Sequence, residues 1–364
     1  MGYLRFAERL RDLGHNVTWI TTGVVAERVR AAQFSVNDFP GIGDLSLPQL
    51  RRCLTESEIA EGILRSLADL LNHLADIPDA VLCDRALTFA PLALGQMHSP
   101  YIAIGTPGGT WRCAHSGVTP WIAPVTQYQT VGEAVKRRLG WRRGELSSAW
   151  VDSPWLNVAF VGRSFFQPDS IDDARSAMVR HYSDIGAAYG YRIGISFGTT
   201  GDCSVLLKVL ERLVTSTDLG PYFDVFTGNR NELRERIAQT PACKHVSVHG
   251  WVRFADFFPK LALLIFFGGI GTLWECVNHW LPMAVIPGSY GDQDHNGHAV
   301  ETLGLGLTIS VTAANSSTSF MNRLAGMRNS EAFRPAFEEF RAKMNSTDTM
   351  DSLCERLENL VKSG

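Results

Sequence analysis

Apolar residues in this chain recur in two registers that alternate along its length. Short β-branched and aromatic runs read as strands, and the stretches between them carry apolar positions three and four residues apart, as one face of a helix does. Leu4, Ala7, Leu10 and Leu13 form such a stripe, Gly14 is placed to stop that helix, and Val17 to Thr21 follows as a strand. Ala80 to Cys83 predicts a strand ending at Asp84, and Tyr101 to Ile104 another, ending near Gly105-Thr106-Pro107. A second series opens near Arg192. Ile193 to Phe197 is a strand, Gly198-Thr199-Thr200-Gly201 a turn, and Val205 to Leu213 a helix. Strands recur at Phe223–Thr227, His245–Val248, Leu263–Phe267, Met283–Ile286 and Leu307–Ile309, and Thr349 to Lys362 predicts one amphipathic helix.

Alternation of this kind is how βα units of a parallel sheet look. The pattern predicts an α/β protein of two Rossmann-like, doubly wound sheets with a ligand cleft between them. The expected division is 1–185, 186–345 and a terminal helix over 346–364, with the joint near 166–190. The stretch 106–165 breaks the rhythm and holds Trp111, Trp121, Trp141, Trp150 and Trp155, five of the nine tryptophans. Two readings stand for these rings: the wall of a pocket for a flat apolar ligand, or the packing of a helical insertion. The runs Lys136-Arg137-Arg138 and Arg142-Arg143 read as a solvated face.

Composition narrows the function classes. A chain of 364 residues has room for two ordinary domains, and 45% hydrophobic with 20% charged residues is a folded globular balance. A formal net charge of -3 gives no electrostatic reason to expect a nucleic-acid partner. The longest apolar stretch, Leu261 to Gly271, is shorter than the roughly 20 residues of a membrane helix, so no transmembrane segment is expected. The seven cysteines are scattered, odd in number and free of CxxC pairs, which argues against a disulfide framework or zinc ribbon. With no secretory leader pattern, a cytoplasmic location is expected.

Candidate chemistry concentrates between Trp251 and Gln293. The strand Leu263–Phe267 runs into Gly268-Gly269-Ile270-Gly271-Thr272, where a helical pattern begins at once. Glycines at a strand-to-helix turn let backbone approach a ligand, and the helix N-terminus offers free N–H groups and the positive end of its dipole to an anion. Thr272 adds a hydroxyl, and Glu275, one turn on, suits ribose hydroxyls. No lysine follows the glycines, which argues against a Walker-type loop. After the next strand, Asp292-Gln293 sets a carboxylate beside an amide, a fitting clamp for vicinal sugar hydroxyls.

The segment resembles the donor-binding signature of the family 1 UDP-glycosyltransferases, most closely the bacterial macrolide and natural-product members. That pattern opens on Trp-Val-Pro-Gln, continues through His-Gly-Gly-x-Gly-Thr with Glu three residues on, and closes on a Gly-x-Pro strand and Asp-Gln-x-x-Asn-Ala. Here Trp251, Gly268, Gly269, Gly271, Thr272, Glu275, Pro282, Asp292, Gln293 and Asn296 fall in order. Leu13-Gly14-His15-Asn16-Val17-Thr18 and Ser196-Phe197-Gly198-Thr199 extend the likeness over essentially the whole chain.

The resemblance implies a GT-B enzyme that needs no metal or cofactor. An N-terminal domain would hold the acceptor, an apolar small molecule, and a C-terminal domain a UDP- or dTDP-sugar whose hexose is transferred with inversion. By position, Trp251 and Val252 would flank the base and Glu275 would hold the ribose. Thr199, Gly269, Gly271 and Thr272 would surround the diphosphate, Gly268 would belong to the same donor site, and Asp292 and Gln293 would grip the sugar. Asp84 matches the aspartate that orients the family's catalytic histidine.

The chain departs from the family in two respects. Phe267 stands where the family has a diphosphate-binding histidine. The chain opens at Met1-Gly2-Tyr3-Leu4, inside what the resemblance makes the first helix, so the first strand and its Gly-His turn are not in it. A start later than the family's is the favoured expectation, with a degenerate relative as the alternative. His15, His98, His115, His295 and His298 are not singled out as substitutes for the base, and His295 with His298 is too sparse a pattern for a metal site. A binding partner without turnover is the rival to an enzyme. An unrelated Rossmann oxidoreductase fits poorly, because it leaves Asp292-Gln293 without a role.

Overall fold

The computed structural model describes residues 2–39, 57–72, 78–84, 90–94, 96, 101–104, 125–141, 156–159, 176–178, 190–198, 203–215, 222–228, 230–240, 246–288, 291–316, 318–327, 329–344 and 349–363. Its strands are β1 (Thr18–Thr21), β2 (Ser35–Asp38), β3 (Val81–Asp84), β4 (Tyr101–Ile104), β5 (Leu156–Ala159) and β6 (Ser176–Met178), followed by β7 (Arg192–Ser196), β8 (Phe223–Phe226), β9 (Val246–His249), β10 (Leu261–Phe266), β11 (Met283–Val285) and β12 (Gly306–Thr308). Every pairing among them is parallel.

The C-terminal half forms one six-stranded sheet in the order β12-β11-β10-β7-β8-β9. Its first strand, β7, is central, and the order reverses beside it, as in a doubly wound fold. Parallel strands covered on both faces have to be apolar throughout, and β8 and β10 are buried at every residue. Leu263, Ile265 and Phe267 face a cluster with Ile193, Ile195 and helix Cys203–Thr215. Leu261, Leu264 and Phe266 face the opposite cluster, with Trp274 and helix Arg334–Met344. Leu261 and Leu264 share a face although three residues apart because the β10–β7 register shifts between Leu261 and Leu263.

The N-terminal half is built as two sheets, β1-β2 and β3-β4-β5-β6. β2, β5 and β6 fall where the hydrophobic pattern predicted no strand. β2 carries a single apolar residue, Val36, so its pairing with β1 comes from the backbone and leaves no pattern in the side chains. β5 does alternate, with Leu156 and Val158 turned inward, inside the stretch dominated by tryptophan. Of those tryptophans, Trp141 packs half-buried against a cluster with Leu64 and Val131, while Trp111, Trp121, Trp150 and Trp155 lie outside the described residues. Arg137 and Arg138 are exposed in the last turn of helix Val125–Arg138, the solvated face expected of that run.

The predicted first helix is Gly2–Asp12, and Gly14, at φ +93°, closes it with the Gly14 and His15 amides donating to the Arg11 and Leu10 carbonyls. The terminal helix, Met350–Ser363, does not stand apart. Leu353, Cys354 and Leu357 pack against Phe6 and Leu10 of the first helix and against Leu156 and Val158. Arg9 pairs with Asp351 at 2.6 Å and His15 with Glu358 at 3.1 Å, but these pairs are exposed and the apolar contact holds the helix. Among the described residues no helix is long and apolar enough to cross a membrane.

Candidate functional site

The order of the C-terminal sheet reverses between β7 and β10, and in such sheets the crevice beyond the carboxyl ends of those strands receives ligands. β7 ends into Phe197-Gly198. β10 ends into Phe267-Gly268-Gly269, and helix Ile270–Asn278 begins immediately, with Gly269 as its N-cap. Among the described residues no side chain caps this helix start. The first intrahelical bond runs from the Leu273 amide to the Gly269 carbonyl, so the amides of the first turn, Ile270 to Thr272, are left to point outward. A second helix, Gly291–Thr302, starts beyond the end of β11 and packs its first turns against the same turn.

The glycines here answer to different demands. Gly268 has φ +90°, and a Cβ there would meet the Val285 Cγ1 at 2.8 Å and the Gln293 carbonyl oxygen at 3.1 Å. The fold itself requires that glycine. Gly269 has φ -63°, open to any residue, and a Cβ at Gly269 or Gly271 would meet nothing within 4 Å among the described residues. Among the described residues, packing gives no reason for glycine at either position.

Two side chains from the second helix fix the turn. The buried Asn296 donates its Nδ2 to the Gly268 carbonyl at 2.7 Å, and its Oδ1 is buried with no partner among the described residues. Gln293, also buried, accepts the Gly288 amide on Oε1 at 2.8 Å, tying the loop after β11 to the helix. The sequence marks Asn296 only as part of a pattern. Its structural task emerges once the two turns are seen to touch.

Glu275 lies on the second turn of helix Ile270–Asn278, 8% exposed, and its carboxylate receives no hydrogen bond among the described residues. Beside it, burial and then the charge of Glu275 push the Cys276 thiol far up, which keeps it neutral. Thr272 is half-buried in the first turn. Trp251 follows β9 with its ring 50% exposed, and Arg28 of helix Gly23–Ala31 in the N-terminal half lays its guanidinium over that ring, 4.5 Å from the centroid. Val252 packs half-buried against the cluster around Trp274.

The structure thus gathers Gly268, Gly269, Gly271, Thr272, Glu275 and Gln293 at one end of the sheet. Asp292 is the second residue of helix Gly291–Thr302, by backbone position close to that end. Asp84 is the last residue of β3, in register with Ile104 of β4. Thr199 lies outside the described residues. Phe267, in the histidine's place, buries its ring in the cluster with Ile195 and Ile286. Among the described residues no group of three or more His, Cys, Asp or Glu side chains is placed to hold a metal ion.

Solved structures overlay on nearly the whole chain. The glycotransferase of kitacinnamycin is 19% identical, with a TM-score of 0.72 over 98% of this chain and 95% of that one. The spinosyn rhamnosyltransferase SpnG, solved with thymidine diphosphate, is 16% identical, with a TM-score of 0.72 over 98% and 95%. The glycosyltransferase SnogD from Streptomyces nogalater is 17% identical, with a TM-score of 0.69 over 98% and 94%. By sequence, no family model and no curated protein matches. The likeness lies in the path of the backbone: the chain shares the GT-B fold of the bacterial natural-product glycosyltransferases.

Proposed function

We propose that this chain is a glycosyltransferase that binds a nucleotide-diphosphate sugar where the two helix N-termini meet and moves its hexose to a hydroxyl of an apolar small molecule. The observation that carries the reading is local. A helix N-terminus with uncapped amides stands beside two glycines that packing among the described residues does not require, and one turn on lies Glu275, a mostly buried residue whose carboxylate receives no hydrogen bond among the described residues. Uncapped amides and the dipole suit a diphosphate, and the Glu275 carboxylate suits the 3′-hydroxyl that the nucleoside sugars of UDP and dTDP share. The thymidine diphosphate held by SpnG favours dTDP over UDP as the nucleotide to try first.

In such a transfer the acceptor oxygen bonds to the anomeric carbon as the bond from that carbon to the diphosphate oxygen breaks, with inversion. The acceptor proton goes to a base. The first-turn amides would stabilise the departing diphosphate as fixed dipoles aimed at developing charge. Clamping of the sugar falls to Asp292 and Gln293, with the Oε1 of Gln293 already engaged by the Gly288 amide. The buried ring of Phe267 favours a second reading, in which the chain holds donor without turning it over, because a phenyl group donates nothing to phosphate.

Calorimetric titration with dTDP and with UDP tests the site. Glu275→Gln removes a charge-assisted pair worth about 1.5–3 kcal/mol, so binding is expected to weaken at least tenfold. Asp84→Ala, on the other sheet, is expected to change affinity less than twofold. Equal losses in the two variants, or no binding by the folded wild-type chain, would sink the assignment. Consumption of a dTDP-hexose in the presence of a phenolic acceptor then separates an enzyme from a donor-binding protein.

A further inference from the structure

Of the tryptophans among the described residues, Trp274 is buried, Trp19, Trp141 and Trp280 are half-buried, and Trp251 alone is exposed. It follows the end of β9 by two residues. Because every pairing in the sheet is parallel, it stands on the same rim as Phe197-Gly198 and the Gly268-Gly269 turn. β9 lies two strands from β7, about 10 Å at the usual spacing of neighbouring strands. A nucleoside diphosphate whose phosphates lie at the start of helix Ile270–Asn278 has the reach to set its base that far along the rim. An indole held in water there offers a flat ring a π-face to stack on.

That face is already in use. The guanidinium of Arg28 lies over the ring, 4.5 Å from its centroid. Helix Gly23–Ala31, which carries Arg28, is fixed to the N-terminal half by its buried side, where Val29 packs with Ala7 and Phe34. Its other side presents Val25 and Arg28, one turn apart and both exposed. The neighbouring Arg30 pairs with Asp38, whereas no carboxylate pairs with Arg28 among the described residues. The reach of Arg28 to Trp251 sets the N-terminal half over this rim. The face that the guanidinium covers is therefore turned into the space where a ligand of the rim would lie.

We propose that Arg28 is a latch on the nucleotide site: its guanidinium and the base of the donor compete for one face of the Trp251 ring, and the base displaces Arg28 on entry. The proposal rests on the nucleotide-diphosphate reading above. A guanidinium over an indole at an exposed site is held less strongly than a stacked base, so the base wins and the latch lowers affinity without abolishing it. Because Arg28 belongs to one half and Trp251 to the other, entry of the base also frees helix Gly23–Ala31 from the donor site. Donor binding in the C-terminal half and release of a helix in the N-terminal half are then two readings of one equilibrium, and whatever holds that helix in place opposes the donor by the same factor.

Calorimetric titration of dTDP into the wild-type chain and into Arg28→Ala tests it, with pyrophosphate as a probe that carries no base. Arg28 is an exposed helix residue, so alanine there leaves the fold intact. Arg28→Ala should bind dTDP about two- to fivefold more tightly, the factor that corresponds to an exposed cation–π contact. Pyrophosphate should bind both chains alike. The sign is diagnostic, because removing a cation from beside a polyanion weakens binding by charge alone. In a Trp251→Leu background the gain from Arg28→Ala should vanish. Equal dTDP affinities in the wild type and Arg28→Ala would overturn the latch. So would weaker binding by Arg28→Ala, which would make Arg28 a donor-holding residue, or a gain that pyrophosphate shares or that survives Trp251→Leu. If neither the wild type nor Arg28→Ala binds dTDP, the nucleotide reading itself fails and takes the latch with it, whereas binding without a gain sinks the latch alone.

Discussion

Gly268 and Gly271 stand three residues apart in the same turn, and their replacement by alanine is expected to have opposite consequences. At Gly268 an alanine must hold φ +90°, at about 1–2 kcal/mol for a left-handed conformation. Its Cβ would also lie 2.8 Å from the Val285 Cγ1 and 3.1 Å from the Gln293 carbonyl. Val285 is a fully buried strand residue and the Gln293 contact is backbone, so neither can retreat easily, and overpacking adds about 1–3 kcal/mol. The total is about 2–5 kcal/mol, and at roughly 2–4 °C per kcal/mol the thermal midpoint should fall by about 4–20 °C. Gly271→Ala meets nothing within 4 Å and replaces glycine by the best helix former, so it should be neutral or gain up to about 1 kcal/mol. Yet it places a methyl group where the diphosphate is proposed to lie, and dTDP affinity should drop at least tenfold, about 1.4 kcal/mol. Differential scanning fluorimetry and calorimetric titration on the same preparations read both effects. A Gly271→Ala chain that is stable and binds dTDP as the wild type does would refute the claim that this glycine is kept open for a ligand. A Gly268→Ala chain of unchanged midpoint would refute the packing argument.

Two further outcomes are expected. Asn296→Ala removes the 2.7 Å bond to the Gly268 carbonyl and leaves that oxygen buried, which should cost about 1–3 kcal/mol and lower the midpoint even without nucleotide; an unchanged midpoint would show that the turn holds its shape unaided. Burial holds the His279 imidazole below its usual 6.5, so the unfolded chain takes up a proton that the folded chain refuses. Stability from this group is therefore complete above pH 6.5 and is lost as pH falls from there toward the lowered folded value. Thermal midpoints from pH 8 to pH 5 should show that loss, and His279→Gln should flatten it; equal slopes would acquit the histidine.

Much of the fold was legible in the sequence because a buried parallel strand has to be apolar along its length. Leu261–Phe266, Phe223–Phe226 and Arg192–Ser196 lie within a few residues of their expected bounds for that reason. The glycine turn, Thr272 and Glu275 were legible too, since a strand running straight into a glycine-rich helix start has few local solutions. β2 was not, because its side chains carry no alternation. The positions that diverged in meaning are the glycines: Gly268, Gly269 and Gly271 read alike in sequence, but only packing distinguishes the one the fold demands from the two it leaves open.

What the sequence determined by itself was therefore the local chemistry: which runs become strands, where a helix N-terminus follows glycine, and that an acid stands one turn on. The tertiary structure decided everything that depends on residues far apart in the chain. It set Asn296 on the Gly268 carbonyl, turned Phe267 into the core, laid Arg28 over Trp251 and folded the terminal helix back onto Phe6 and Leu10. It also left β1 and β3 in separate sheets. Strand pairing is a contact between distant segments, and no pattern within β1 or β3 says which edge a neighbour will fill.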